Sequence, residues 1–364
     1  MAILLEGLKS IVFQISTLYL LLDICSGKEF PAIFTFGDSS VDVGNNYYIE
    51  TTARPTLPYG IDFGTGKAAA GRYTNGRTIP DIIGQELGFR NFSPPYLSPM
   101  ATGDIILKGV NYASAGSGIL NDTGKNQGDL IDLEAQITYF GKTKQDIMIR
   151  IGKTAATSLL RESLYIIAIG SNDVRDHIFG SNQTNSLYSD ADFHMLISTF
   201  RSQLIRLYYL GARKIVVTSC SCIGYAPFVR SGLLKEFIVP INQISQYYNS
   251  RLKKLLTELT TSLPGSMYVY SDVYSSLENI IRNGKTYGFE NVYSGCCHGI
   301  GIFNKKSQCP TECQVCNNRN KYLFWDTGHP SDAGYLIMAN RFMDGGLNYM
   351  SPMNIRQLMK FPVN

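Results

Sequence analysis

Charge is scarce in this 364-residue sequence: Asp, Glu, Lys and Arg together make up 17%, the net charge is +4, and the basic residues are scattered. That excludes the concentrated basic surface of a nucleic-acid binder, and no nucleic-acid partner is expected. Past residue 27 no apolar run approaches the length that spans a bilayer, so no transmembrane segment is expected. G-x-S-x-G is missing, which argues against the usual nucleophile elbow of α/β-hydrolases. H-E-x-x-H and the dinucleotide-binding glycine pattern are missing too, and "IRIGKT" lacks the first glycine of a phosphate loop, with Ile147 in its place. There is one tryptophan, against 23 tyrosines, and there are only four histidines, which leaves few candidates for a catalytic base. With 44% hydrophobic residues, what remains is an ordinary folded chain, long enough to bury a substantial core.

The first 27 residues differ from the rest. Lys9 precedes "IVFQISTLYLLLDIC", and small residues in "SG" follow, the layout of a secretory signal peptide interrupted by Gln14 and Asp23. Removing it leaves residues 28–364 as one expected domain in an oxidising compartment. Three N-x-S/T triplets, at Asn91, Asn121 and Asn182, are candidate glycosylation sites that suit the same route. Of the eight cysteines, Cys25 leaves with the signal. Five of the others, Cys296, Cys297, Cys309, Cys313 and Cys316, crowd together near the C-terminus. Cys313-x-x-Cys316 resembles half of a zinc site, but no second C-x-x-C exists, and secretion favours disulfides. Seven mature cysteines, these five with Cys220 and Cys222, predict one thiol that stays free or pairs outside the chain. No metal site is expected.

Short runs rich in β-branched and aromatic residues recur at wide spacing: 32–36, 107–114, 164–170, 214–220 and 266–272. Between them lie stretches of helical spacing. Leu130, Leu133, Ile137 and Phe140 fall three or four apart, 192–210 ends at Gly211, and 240–263 ends at Pro264 and Gly265. Strand runs alternating with helical runs predict an α/β fold built on a parallel sheet covered on both faces. In such sheets reactive groups collect at the carboxyl ends of the strands. The first run ends in Gly37-Asp38-Ser39, the second in Ala115-Gly116-Ser117-Gly118, and the third in Ser171-Asn172-Asp173.

Gly-Asp-Ser occurs by chance in about one chain of this length in ten, and a turn alone accounts for it. Its position after a strand makes Ser39 a candidate nucleophile, which then needs a base. His329 lies in "FWDTGHPSDAG" with Asp326 three residues before it, a spacing that lets the carboxylate accept from Nδ1 and turn Nε2 outward. His194 sits in a helical run and reads as a surface or packing residue, and His298 lies among the cysteines. His177, beside Asp173 and Asp176, is the inferior alternative base. Gly116 and Asn172 stand where donors to an oxyanion are needed.

Taken in order, "FTFGDSSVDVGNN", "GVNYASAGSGIL", "IGSND" and "FWDTGHPSDAG" resemble the motifs of the plant GDSL esterase/lipase family, a branch of the SGNH hydrolases. "GARKIVV", "YGF" and "CNNRNKYLFWD" extend the resemblance over nearly all of the mature chain. It implies a three-layer α/β/α sandwich, flavodoxin-like, with about five parallel strands. It implies Ser39, Asp326 and His329 as catalytic triad, and Ser39, Gly116 and Asn172 as oxyanion hole. It further implies a carboxylic ester hydrolase without cofactor, exported to the cell wall or apoplast if the source is a plant, acting on a small-molecule or lipid ester. The ester could be of lipid, aryl or acetylated-glycan type, and oligomeric state is left open. The rival functions are an acyltransferase using the same triad and a catalytically silent secreted binding protein. Two departures stand out. "TSCSCIGYAP" places Tyr225 where the family commonly has a cysteine, with Cys220 and Cys222 upstream, which unsettles the usual pairing. Gly334-Tyr335 replaces the more usual pair after the histidine and is expected to affect helix packing more than catalysis.

Overall fold

The computed structural model describes residues 31–66, 70–180, 190–230, 235–299 and 313–363. The expected signal segment, residues 1–27, and the candidate glycosylation site Asn182 lie outside them. Four of the predicted runs become parallel strands: β1 (Ile33–Gly37), β2 (Leu164–Ala168), β3 (Lys214–Thr218) and β4 (Met267–Ser271), side by side in that order. Ile33 is level with Leu164, Leu164 with Lys214 and Lys214 with Met267. Every residue of β1 and β2 is buried, as continuous apolar composition requires of strands covered on both faces.

Alternation along the strands divides the core in two. Phe34, Phe36, Tyr165, Ile167, Ile215 and Val217 point into one layer, while Ile33, Leu164, Ile166, Val216 and Val269 point into the other. Helices α2 (Leu133–Ile151), α5 (Asp190–Leu210) and α7 (Ile238–Ser262) cover the first face. Helices α1 (Ile79–Glu86), α8 (Val273–Arg282), α9 (Asp332–Asp344) and α10 (Ile355–Met359) cover the second. This is the expected layering of helices on both faces of a central sheet, and α2, α5 and α7 match the predicted helical stretches within a few residues, except that α2 runs on to Ile151.

The second run departs from expectation. Gly103–Lys108 coils into a short 3-10 helix, and only the following residues extend beside β1. Thr35 N donates to Val110 O at 3.1 Å, Tyr112 N to Thr35 O at 2.8 Å and Ser114 N to Gly37 O at 3.0 Å, so the segment lies parallel to β1 without a strand of its own. On its outer edge the backbone of residues 94–96 makes a single parallel bridge, Asn111 N donating to Pro94 O and Tyr96 N to Asn111 O at 2.9 Å each, and Asn45 Nδ2 donates to the carbonyls of Asn111 and Ala113, so the pairing goes no further than one bridge. The fifth strand of the sheet is instead β9 (Met350–Ser351), which pairs antiparallel with β4. The chain therefore leaves β1 toward opposite sides for the second and third runs. That reversal opens a crevice at the carboxyl end of β1.

Smaller elements complete the chain: α3 (Lys153–Glu162), α4 (Ser171–Gly180), α6 (Pro227–Arg230), and the two-stranded pairs β5 (Asn291–Gly295) with β8 (Tyr322–Phe324) and β6 (Cys297–Gly299) with β7 (Cys313–Val315). Cys296 is bonded to Cys316, and Cys297 is also disulfide-bonded. Cys316 of the C-x-x-C pair is thus spent on a disulfide. Cys220 and Cys222 are both free and buried, one facing each core layer, where the odd count alone predicted a single spare thiol. Burial pushes the Cys220 thiol up to about 12, which makes it inert at ordinary pH.

Candidate active site

The site begins where β1 stops. Gly37 has φ +153, and a Cβ there would sit 2.1 Å from Ala168 O, so β1 can end against β2 only with glycine. The chain then turns tightly: Val41 N and Asp42 N both donate to Asp38 O, at 3.2 and 2.9 Å. Asp38 also receives the N–H and the hydroxyl of Ser40, at 2.9 and 2.7 Å. Those bonds occupy Ser40 and separate it from Ser39, which composition cannot do. Ser39 Oγ lies 2.8 Å from His329 Nε2.

His329 reaches Ser39 from the loop between β8 and α9. Its Nδ1 lies 2.7 Å from Asp326 Oδ2, and its backbone N–H donates to Oδ1 at 2.6 Å, as does that of Gly328 at 2.7 Å. The helix that follows is capped by Ser331, not by Asp326. Its first turn is fastened to the other end of the chain: Asn75 Oδ1 accepts from Asp332 N at 2.9 Å, and Arg77 pairs with the Asp332 carboxylate at 2.8 Å. Burial opposes the charge on Asp326, but the His329 cation and the hydrogen bonds hold its carboxyl below the usual range. Burial likewise opposes protonation of His329, yet the charge and hydrogen bond of Asp326, with the charge of Asp38, raise it above its ordinary value.

The predicted donors lie on two neighbouring segments. Gly116 is buried with φ +85 in the turn closed by Ser117 N donating to Ser114 O at 3.2 Å. Asn172, in the first turn of α4, lines the same cavity as Ser39 and His329. One amide hydrogen of its Nδ2 is used at Ser117 O, 2.9 Å away, which ties the two donor segments together and leaves the second hydrogen for another acceptor.

Several supporting residues gave no sequence signal. Asp42 accepts from Gly44 N, Asn45 N and Ala115 N at 2.8, 3.0 and 3.1 Å, anchoring the Gly116 turn to the nucleophile turn. Gln136 reaches from α2 to both backbone groups of Gly37, at 2.8 and 2.9 Å. Tyr59 donates to Asp326 Oδ2 at 2.6 Å. Gln136 and Tyr59 meet partners far away in sequence, and Asp42 joins its own turn to Ala115, 73 positions on.

The other histidines stay apart from this arrangement. His177 faces Asp192 at 3.8 Å, because Asp173 is occupied by Ile119 N, Leu120 N and Thr123 Oγ1, and Asp176 by Arg175 and Gly124 N. His194 is exposed on α5, in line with a surface role. His298 is paired by its backbone with Gln314 in the β6–β7 ladder. Asn91 and Asn121 are both exposed.

Beyond the nucleophile lies a cavity of about 310 Å³, running between the sheet and the second helical layer. Ile79, Ile166, Val273, Leu277 and Met338 supply an apolar floor, with Thr218, Ser219 and Ser221 along one side. Tyr335 lines it as well, so the departure after the histidine touches the cavity as well as helix packing. Ile223 and Ala226 of the "TSCSCIGYAP" segment form part of its wall, whereas Tyr225 turns away to the Arg230 guanidinium, 5.0 Å from its ring.

A serine, a histidine and an aspartate stand in hydrogen-bonded series at the carboxyl end of a mostly parallel sheet, an arrangement shared by serine hydrolases of several folds. The GDSL-like Lipase/Acylhydrolase family matches residues 33–342, and the chain belongs to it. It is 43% identical over 351 residues to the GDSL esterase/lipase At4g16230 of Arabidopsis thaliana, covering 94% of this chain and 95% of that one. GDSL esterase/lipase At2g23540 and GDSL esterase/lipase 7 of the same plant are each 38% identical, covering 91% of this chain and 88% and 92% of their own. A solved catalytic mutant of an acetylxylan esterase from Geobacillus stearothermophilus aligns over 86% of this chain and 92% of its own at 17% identity, with a TM-score of 0.38, too distant to bear on substrate. Membership of this family makes the protein a carboxylic ester hydrolase. Among the described residues no helix is long and apolar enough to cross a membrane.

Proposed function

We propose that this chain is a secreted serine esterase in which Ser39, His329 and Asp326 act as nucleophile, base and orienting carboxylate. The observation that carries the reading is the unbroken series from Ser39 Oγ through both ring nitrogens of His329 to Asp326, at 2.8 and 2.7 Å. In the first step Nε2 takes the Ser39 proton as Oγ bonds to the ester carbonyl carbon, and the carbonyl electron pair moves to oxygen. The backbone N–H groups of Ser39 and Gly116 and the second amide hydrogen of Asn172 receive that oxyanion. As the carbonyl re-forms, the bond to the alcohol oxygen breaks, and imidazolium returns the proton to the departing alkoxide. Water then repeats the sequence, releasing the acid and restoring Ser39. Asp326 fixes the Nδ1–H tautomer throughout, and the triad supplies both nucleophile and proton transfer without a cofactor.

The apolar cavity floor favours an ester whose acyl group is a hydrocarbon chain over an acetylated glycan, since a bare acetyl leaves Leu277 and Met338 without a partner. The N-terminal charge and hydropathy pattern, the sequons and the disulfides support export. Labelling by a fluorophosphonate tests the mechanism: the intact protein is expected to be labelled and Ser39→Ala not. An unlabelled intact protein, or equal labelling of the variant, overturns it.

A further inference from the structure

Tyr59 is separated from Asp326 by 267 positions, yet its buried hydroxyl donates to Oδ2 at 2.6 Å, the same oxygen that His329 Nδ1 meets at 2.7 Å. Oδ1 is already filled by the N–H groups of Gly328 and His329, at 2.7 and 2.6 Å. Among the described residues the carboxylate thus has four donors, and Tyr59 supplies the only one besides the imidazole on the oxygen that faces the base. The phenol is held in place by its surroundings. Its ring packs on Tyr73 at 5.3 Å and Trp325 at 6.3 Å, and Tyr73 lies 5.2 Å from the His329 ring. Its loop is fastened by Tyr59 N donating to Thr56 O at 3.0 Å and Gly60 N to Thr74 O at 2.8 Å.

We propose that Tyr59 is a positioning residue of the esterase, aiming Asp326 Oδ2 at His329 and moderating how strongly that carboxylate draws a proton onto the imidazole. The proposal rests on the triad reading above. A donor to a carboxylate stabilises its charged form and reduces its basicity. With Oδ2 shared, Asp326 stabilises the imidazolium less than it would alone, so His329 gives up its proton at lower pH. The other groups facing the pair are the Asp38 carboxyl, the Arg175 guanidinium, and the phenols of Tyr73 and Tyr335, both kept neutral by burial. None of these hydrogen-bonds to Oδ2 as Tyr59 does, and all of them persist when the Tyr59 hydroxyl is removed.

The test is the pH profile of kcat/KM for Tyr59→Phe, which keeps the ring and deletes the donor. The acid limb is expected to move up by about one pH unit, the size of one hydrogen bond to a charged group. Activity on the acid side then falls about tenfold, with KM unchanged and most of the alkaline plateau kept. Difluorotyrosine placed at position 59 alone, a stronger donor, should move the limb the other way and decides the matter if Tyr59→Phe does not fold. The far-downfield Nδ1–H proton resonance should shift in both variants. A folded Tyr59→Phe protein with an unmoved limb, or an unmoved limb with the fluorinated residue, overturns the proposal. If fluorophosphonate labelling of the intact protein fails, it is the triad reading that falls.

Discussion

Replacing Asp42 by Asn should make the protein's stability less dependent on pH. Asp42 is wholly buried beneath the nucleophile turn and carries no cationic partner in hydrogen-bond contact; three backbone N–H groups are its support. Burial outweighs those bonds and raises its carboxyl from 3.8 to about 7. Between those pH values the unfolded chain has Asp42 ionised while the folded chain keeps it protonated, so the native state binds more protons and loses stability as pH rises. A carboxyl raised from 3.8 to about 7 corresponds to about 4 kcal/mol over that window. Asn is neutral throughout. At pH 4 the variant resembles the protonated protein and should differ from it by about 1 kcal/mol, the worth of one neutral hydrogen bond at Ala115. By pH 8 the difference should have swung by up to about 4 kcal/mol in favour of the variant. Equilibrium urea unfolding of both proteins at pH 4, 6 and 8 measures this, and subtraction removes the contributions of Asp38, Asp173 and Asp272, which burial also raises. Parallel stability curves for the two proteins would refute the reasoning.

Three further outcomes follow from the site. Activity should fall with decreasing pH along a limb centred above 6.5, because Asp326 and Asp38 raise His329 and the protonated ring cannot accept the serine proton; a limb at or below 6.5 in the kcat/KM profile contradicts this. Asn172→Ala should lower kcat by about a hundredfold, the usual loss of one oxyanion donor, with little change in KM, and a purely KM effect in steady-state assays would remove Asn172 from that role. Leu277→Trp should abolish turnover of long-chain p-nitrophenyl esters while sparing the acetate, and equal losses across the chain-length series would show that the acyl group does not enter this cavity.

Much of the architecture was readable because the strands are buried on both faces and so announce themselves as unbroken apolar runs. The second run misled because its composition is strand-like while its outer edge is shared between one bridge to residues 94–96 and the side chain of Asn45, more than sixty positions away. β9 is two residues long and carries no periodicity at all. Three of the four motif segments could be found since each follows a strand, where local signals are strong. Gln136, Tyr59 and the bond of Asp42 to Ala115 could not, because a polar residue does not declare a partner across the fold. The pairing of Cys296 with Cys316 was likewise beyond reach, as five clustered cysteines allow many connectivities.

The nucleophile turn lies near the start of the described residues, and the proposed base comes 290 positions later. During synthesis all four parallel strands are made before His329 leaves the ribosome, and the clasp of Asn75 and Arg77 onto Asp332 can close only after that. A nascent or truncated chain therefore holds a serine with no base beside it. The order of the chain delays the pairing of serine with base until the four parallel strands have been made.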